Sequence, residues 1–512
     1  MAFEPRTIVH LLNVPFENDY KNVLYYTSKS HQYNTLIARK VRSFTDFTYQ
    51  RKDNVIRIPA HIDTLWNCNY VMYQNSNFGE KWFYAFITKM EYVNDGVTLV
   101  YIETDVYNTW WDDVTVQPSF ILREHTKDDT IGINTVPENF ELGEYKCDRW
   151  EQDQNLNSND IIVIGVTEDS SGYKHGGARY GGVYSGIKYL WRRTSVDVNT
   201  LITQYDEAGK AEAIQCIFMC PSWVVMKDTE DSSGESETTE AAKFYDYSLQ
   251  APPSSLDGYF PRNKKLFTYP YRYLLITNNQ GSSVVHHNEK YAEYGRRVFR
   301  IYGTVTPGCS IRAIPVSYNG ISENVDEGVN LGKLPVCNWN SDVYTNWLTQ
   351  NSVNIASDVG GAIFNTATSA LTGDVSGAVN GVFGIMNSIG NVYQHSLVPN
   401  ASKGNINSGD VMFAGDFATF KFQDMTIKSE YARIIDNFFD MYGYKTNLIK
   451  EPNYGHRERW WYTHTIDVNI DGAIPNDDMS IFKNIYNTGV TFWRNINEIQ
   501  NYTLTNNIIT QN

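Results

Sequence analysis

Three groupings bring histidine and acid close enough along the chain to do chemistry. In His61-Ile62-Asp63 an extended backbone would set both polar side chains on one face, as a metal site or a base with its orienting acid requires. His286-His287-Asn288-Glu289 offers three potential ligands within four residues, and His464 precedes Asp467 by three positions. Asp112-Asp113 supplies carboxylates of the kind that hydrolyse glycans, provided that they stand at the right separation in space. Each has a plainer reading. Two polar residues on a strand face usually make a surface hydrogen bond, and polar clusters after a Ser-rich loop are usually solvated. No HExxH, GxSxG or GxxxxGK motif occurs. The expectation is therefore no catalytic residue, no metal and no cofactor, with a metal-dependent hydrolase or self-cleaving activity as the minority alternative.

Six cysteines, at 68, 147, 216, 220, 309 and 337, form no CxxC pair, so buried free thiols are expected rather than a disulfide framework or a zinc site. A formal charge of −15 with no run of Lys or Arg excludes a protein that grips phosphates. An acidic wall would instead let DNA slide past it. The opening MAFEPRTIVHLLNVPFENDY carries Glu4 before its apolar run and Pro15 within it, so it does not read as a secretory signal.

The elements that would hold such residues are mostly strands. Aromatics at 14%, with 36 Tyr, favour β structure, and 512 residues exceed what one core usually organises. Tyr84 to Thr104 alternates bulky and polar residues around Asn94-Asp95-Gly96, whose small residues tolerate the positive φ of a tight hairpin turn. Arg297 to Val305 and Ser310 to Ser317 flank Thr306-Pro307-Gly308 in the same way. Ile161 to Val166 and Cys216 to Met226 read as further strands, joined by Ser-, Gly- and acid-rich loops. Glu430 to Tyr442 reads as a helix closed by Gly443, with Tyr431, Ile434, Ile435, Phe438, Phe439 and Tyr442 as its inward stripe. A shorter helix near Ser480 to Asn487 is closed by Gly489. The fold class expected is β-rich, all-β to α+β, with antiparallel barrel-like domains and a few short helices. The expected boundaries are 1–130 for a first β domain, 131–262 for an inserted domain, 263–345 with 402–512 for a second β domain, and 346–401 for a long apolar Gly-rich loop.

That loop is the most unusual stretch. Leu334 to Ser402 contains no Lys or Arg over 69 positions, where the average composition would place about six. Ile355, Val359, Ile363, Phe364, Leu371, Val375, Val379, Val382, Phe383, Ile385, Met386, Ile389 and Val392 supply apolar mass, and Ser369, Gly373, Gly377 and Gly381 recur every fourth position, which suits close helix approach in lipid. Asp358 and Asp374 are the acids in the span from Val343 to Ser402; ionised they oppose insertion into lipid and protonated they do not, so acid is a candidate trigger. The interspersed polar residues argue against a permanent transmembrane helix. Composition alone leaves a buried Gly- and Ala-rich helical hairpin or a disordered apolar loop, on one side, and a membrane-active segment, on the other, equally open.

Several long stretches resemble the tail knob proteins of short-tailed, protein-primed phages of the Picovirinae type. They are VPFENDYKNVLYYTSKSHQYN (14–34), VMYQNSNFGEKWFYAFIT (71–88), FILREH (120–125), YPYRYLLIT (269–277), EYARIIDNFFDMYGYK (430–445) and NTGVTFW (487–493). The resemblance covers about residues 1 to 130 and 265 to 512, and thins between. It implies a virion tail protein in which six copies form a β-walled tube carrying double-stranded DNA without gripping it, while the inserted domain forms an outer knob. It implies apolar loops that plug the lumen and then form a pore in the host cytoplasmic membrane, and it implies collar or upper tail proteins and a tail-tip protein as neighbours. The rival readings are a receptor-binding protein whose aromatic-rich middle region stacks on cell-wall glycans, and a tail-associated peptidase or hydrolase.

Overall fold

In a computed structural model of the chain, the residues described are 6–47, 54–75, 79–153, 160–167, 179–180, 183–184, 188–193, 195–225, 233–236, 242–279, 281–304, 309–331, 336–338 and 419–509. They fold as mostly antiparallel sheets with short helices, as the β-rich composition predicts. Both hairpin expectations hold: Phe83–Asn94 pairs with Val97–Thr104, and Arg297–Thr304 with Ile311–Tyr318. The chain divides into two compact units.

The first unit comprises Met1–Gly143, Tyr259–Leu266 and Ser429–Asn512. Its six-stranded sheet runs in the order Lys40–Phe47, Thr7–Leu12, Tyr70–Asn75, Phe83–Asn94, Val97–Thr104, Val55–Ile58. A five-stranded sheet runs Asn22–Leu24, Val490–Trp493, Trp460–Ile466, Ser119–Glu124, Tyr444–Lys450, and its first pair is parallel. Trp460, Trp461 and Trp493 are fully buried at the centre of an aromatic core that also holds Tyr26, Tyr70, Phe482 and Phe492.

The second unit comprises Glu144–Gly258 and Phe267–Lys428. One sheet runs Tyr145–Gln152, Lys421–Ile427, Arg272–Thr277, Ser283–His286. A second runs Ser233–Ser236, Lys188–Arg192, Asp160–Val166, Ile214–Pro221, Val336–Asn338; a third runs Ala242–Leu249, Arg297–Thr304, Ile311–Tyr318, Ile321–Glu323. Trp191, Phe218, Phe299, Ile301 and Phe420 share one core.

This strand pairing divides the chain differently from the expected boundaries. Residues 429–512 join 1–143 because Trp460–Ile466 and Tyr444–Lys450 pair with Ser119–Glu124, and Val490–Trp493 pairs with Asn22–Leu24. Within 144–258, Tyr145–Gln152, Ile214–Pro221 and Ala242–Leu249 pair with strands beyond residue 267. Ladder hydrogen bonds between distant segments, not loop composition, set the division.

The Ser429–Tyr442 helix forms where expected, but its buried face is Ala432, Ile435, Asp436 and Phe439, while Ile434 is 67% exposed. A buried carboxylate takes the place the apolar stripe would have used. Gly443 closes the helix at φ +66°, and a Cβ there would lie 2.2 Å from the Glu124 carbonyl oxygen. Gly443→Ala is expected to lower the unfolding free energy by more than about 2 kcal/mol, from the left-handed backbone together with the clash. Urea unfolding checks this, and a loss below about 0.5 kcal/mol would contradict it. The second helix spans Asn476–Thr488, longer than its expected bounds, with Gly489 at φ +92°.

Candidate functional site: the strands that root the apolar segment

Ile355 through Val392, the Ser369, Gly373, Gly377, Gly381 series, and Asp358 with Asp374 all lie outside the described residues. Within them stand the two strands from which that segment leaves and to which it returns, both in the second unit. Among the described residues the departing strand, Val336–Asn338, pairs on one side only, with Val336 opposite Phe218 and Asn338 opposite Cys216. The returning strand, Lys421–Ile427, is more than twice as long and pairs on both sides, with Tyr145–Gln152 and Arg272–Thr277. A three-residue edge pairing has few ladder bonds to lose, so the departing root is the weaker of the two.

From Phe420 to Thr426 burial alternates: Phe420, Phe422, Asp424 and Thr426 are buried, and Lys421, Gln423 and Met425 are half-buried. Period two explains why Phe422 packs on Phe299 and Tyr247, at ring-centroid distances of 4.9 and 5.5 Å. It also forces Asp424 inward. There Arg297 binds its carboxylate through both terminal nitrogens, Nη2 donating to Oδ2 at 3.2 Å, and Arg149 Nη2 donates to Oδ2 at 2.9 Å. Arg297 is 1% exposed and Asp424 3%. Arg149 Nη2 also donates to the Ala251 carbonyl at 2.7 Å, and Arg297 Nη1 to Asn288 Oδ1 at 3.3 Å. Lys421 sits 4.8 Å over the Trp150 ring. The returning root is thus fixed by apolar packing and a buried, multiply bonded carboxylate.

In the first unit a second buried carboxylate fixes the eight residues Tyr259–Leu266. Asp436 accepts from Tyr259 Oη at 2.6 Å, Arg262 N at 2.9 Å, and Asn263 N and Nδ2 at 3.0 and 2.9 Å. Asn263 Nδ2 also donates to Asp440 Oδ1 at 2.7 Å. Lys265 Nζ donates to Glu138 Oε1 at 2.7 Å and to the Val136 carbonyl at 2.9 Å. Burial pushes the Lys265 ammonium pKa down, and Glu138 opposes that shift.

The residues considered for catalysis are taken up in local structure. His61 to Asp63 is the start of a tight 3-10 turn rather than a strand: His61 Nδ1 accepts from Asp63 N, so the expected strand-face pair is corrected to a turn cap. Asp112 pairs with Lys29 and Asp113 with Lys81. His286 donates from Nε2 to the Glu327 carbonyl at 2.9 Å, which leaves Nδ1 to accept from Tyr291 Oη at 2.8 Å; the ring stacks between Phe299 and Tyr318. His287 stacks on Tyr269 at 4.1 Å, and His464 Nε2 donates to the Asn487 carbonyl. Among the described residues no group of three or more His, Cys, Asp or Glu is placed to hold a metal ion, and no helix is long and apolar enough to cross a membrane.

Sequence reasoning did not single out Asp424, Arg297 and Arg149, nor Asp436 and Asn263. A signal was present: in FKFQDMTI and RVFRIYGT the charged Asp424 and Arg297 occupy the inward phase of the alternation.

Residues 237–507 match the family model described as the C-terminal domain of tail knob protein gp9 of Bacillus phage phi29. Residues 5–115 match a model for the N-terminus of caudoviral major tail proteins. Over nearly the whole length the chain is 26% identical to tail knob protein gp9 of Bacillus phage phi29, covering 99% of this chain and 100% of the relative. It is 25% identical to tail knob protein gp9 of Bacillus phage B103, covering 97% of each. Its fold is similar to that of the bacteriophage C1 tail knob protein gp12, with a TM-score of 0.63 at 15% identity over 98% of this chain and 100% of that one.

Proposed function

The chain belongs to the family of the phi29 tail knob protein gp9, a structural component of the virion tail, and from that premise we propose that six copies form a conduit for genome ejection whose apolar segments plug the lumen and then penetrate the host cytoplasmic membrane. The observation that carries this is the span from Leu334 to Ser402, free of Lys and Arg and rich in apolar and small residues. Basic side chains are expensive at the bilayer centre, and six such segments can bury one another in a closed ring until release. The acidic charge of the chain suits a wall that DNA passes without binding. The unequal roots support the same reading: a short edge strand lets one end of the segment swing free while the long, pinned strand keeps it tethered. Residues 346–401 are the moving element, and collar, upper tail and tail-tip proteins are the structural neighbours.

Dye release from liposomes tests the proposal. Intact protein is expected to release dye, and protein lacking residues 351–400 to release about tenfold less or none; equal release would remove the segment from the mechanism. The same assay at neutral and acidic pH tests Asp358 and Asp374. Faster release in acid is expected, because protonation removes the charge that opposes insertion, and an unchanged rate would sink the acid trigger while leaving the pore reading in place.

A further inference from the structure

Cys220 and Cys309 stand 89 positions apart in sequence, yet their sulfurs are 3.5 Å apart in the core of the second unit. Both side chains are fully buried, in the cluster that includes Val224, Phe299 and Ile301. Cys220 lies near the end of the Ile214–Pro221 strand, and Cys309 leads into Ile311–Tyr318. Those strands belong to different sheets. Ile214–Pro221 is also the strand that holds the departing root of the apolar segment.

We propose that Cys220 and Cys309 are a disulfide-forming pair, reduced while the tail is assembled in the host cytoplasm and oxidised in the released virion, where the bond ties the strand holding the apolar segment to the neighbouring sheet. The timing rests on the assignment to the virion tail. Cytoplasmic thiol pools keep such a pair reduced, whereas the medium outside the cell does not. Closing the gap to a bond of about 2.05 Å requires each sulfur to move by less than about 1 Å, a small side-chain rotation. Two thiols lose two protons and two electrons as the sulfur–sulfur bond forms. Dissolved dioxygen accepts them and becomes hydrogen peroxide; a small disulfide accepts them by exchange and leaves as two small thiols. Full burial restricts access, so the reaction is slow compared with assembly. Because the bond closes a long loop, it removes many unfolded conformations and stabilises the unit.

The test uses the full chain, purified under reduction and then exposed to oxidised glutathione in air without denaturant. The expected product is 2 Da lighter, yields a Cys220–Cys309 linked peptide on non-reducing digestion, and melts higher by about 5–15 °C. Dithiothreitol should reverse all three changes. Cys220→Ser and Cys309→Ala, each made separately, should show neither the mass loss nor the melting shift on oxidation. Full alkylation of both cysteines after prolonged oxidation and unfolding would overturn the proposal, as would linkage of either to another cysteine. Dye release by the reduced protein is a separate readout, so failure here would leave the pore reading standing.

Discussion

Asp424→Ala is expected to lower the unfolding free energy by about 3–5 kcal/mol, because it strands Arg297 as an uncompensated charge in the interior. The carboxylate is the shared acceptor of Arg297 and Arg149, and through them connects the Tyr145–Gln152, Arg297–Thr304 and Lys421–Ile427 strands. A surface ion pair of similar geometry would be worth about 0–1 kcal/mol, so burial decides the size of the effect. The sign of a double replacement discriminates further. Asp424→Leu together with Arg297→Met removes both buried charges and should cost less than Asp424→Ala alone, since the penalty lies in leaving one partner behind. Urea unfolding followed by tryptophan fluorescence measures all three proteins. A loss under about 1 kcal/mol for Asp424→Ala would show that water reaches the site and that the carboxylate does not pin the returning root.

Acidification from pH 7 to pH 5 is expected to cost about 2 kcal/mol for each of the two buried imidazoles His286 and His456, whose pKa values burial lowers from 6.5 to about 4. Above pH 6.5 both rings are neutral whether the chain is folded or not, and stability does not depend on them. Below it the unfolded chain binds a proton that the folded one refuses, so stability is lost as pH falls from 6.5 to 4 and no further below that. The cause at His286 is the loss of hydration on burial, which the hydrogen bond from Nε2 to the Glu327 carbonyl opposes without cancelling. At His125 burial, with Arg457 adding to it, drives the pKa well below the usual range, while the hydrogen bond from Nε2 to the Asp440 carbonyl at 3.0 Å opposes the shift. Buried carboxylates pull the other way. Glu124, Asp129 and Asp440 have pKa values raised by burial, so the folded state takes up their protons more readily and gains stability in acid. Comparing slopes isolates the histidine part. His286→Asn should be less stable than the parent at pH 7, yet lose about 2 kcal/mol less on going to pH 5. Parallel pH profiles for the two proteins would refute the assignment.

Local rules were enough for what is local. Asn94-Asp95-Gly96 specifies a hairpin through its short turn-forming residues, with Gly96 N donating to Asn94 Oδ1 at 2.9 Å and none of the three at the positive φ expected, and Gly443 and Gly489 end helices because both sit at positive φ. The Lys- and Arg-free span is a property of composition, readable without any fold, as is the family resemblance carried by the stretches at 14–34, 71–88 and 430–445. The helical period placed Ser429–Tyr442 correctly but not its rotation: six apolar residues suggested the stripe, and only Tyr259, Arg262 and Asn263, more than 170 positions away, explain why Asp436 faces inward and Ile434 outward. The change of texture near residue 130 suggested an inserted domain, whereas pairing ties Tyr145–Gln152 to Lys421–Ile427. A strand's sequence states which face is buried but not which strand lies beside it, since backbone ladder bonds are chemically alike for every partner. What the sequence by itself determined was therefore the β-rich class, the turns and helix ends, and the apolar span. Only the tertiary structure decided the division into units, the buried Asp424–Arg297–Arg149 and Asp436 networks, the contact between Cys220 and Cys309, and the unequal anchoring of the two roots. Each of those depends on groups that approach only after distant segments have paired.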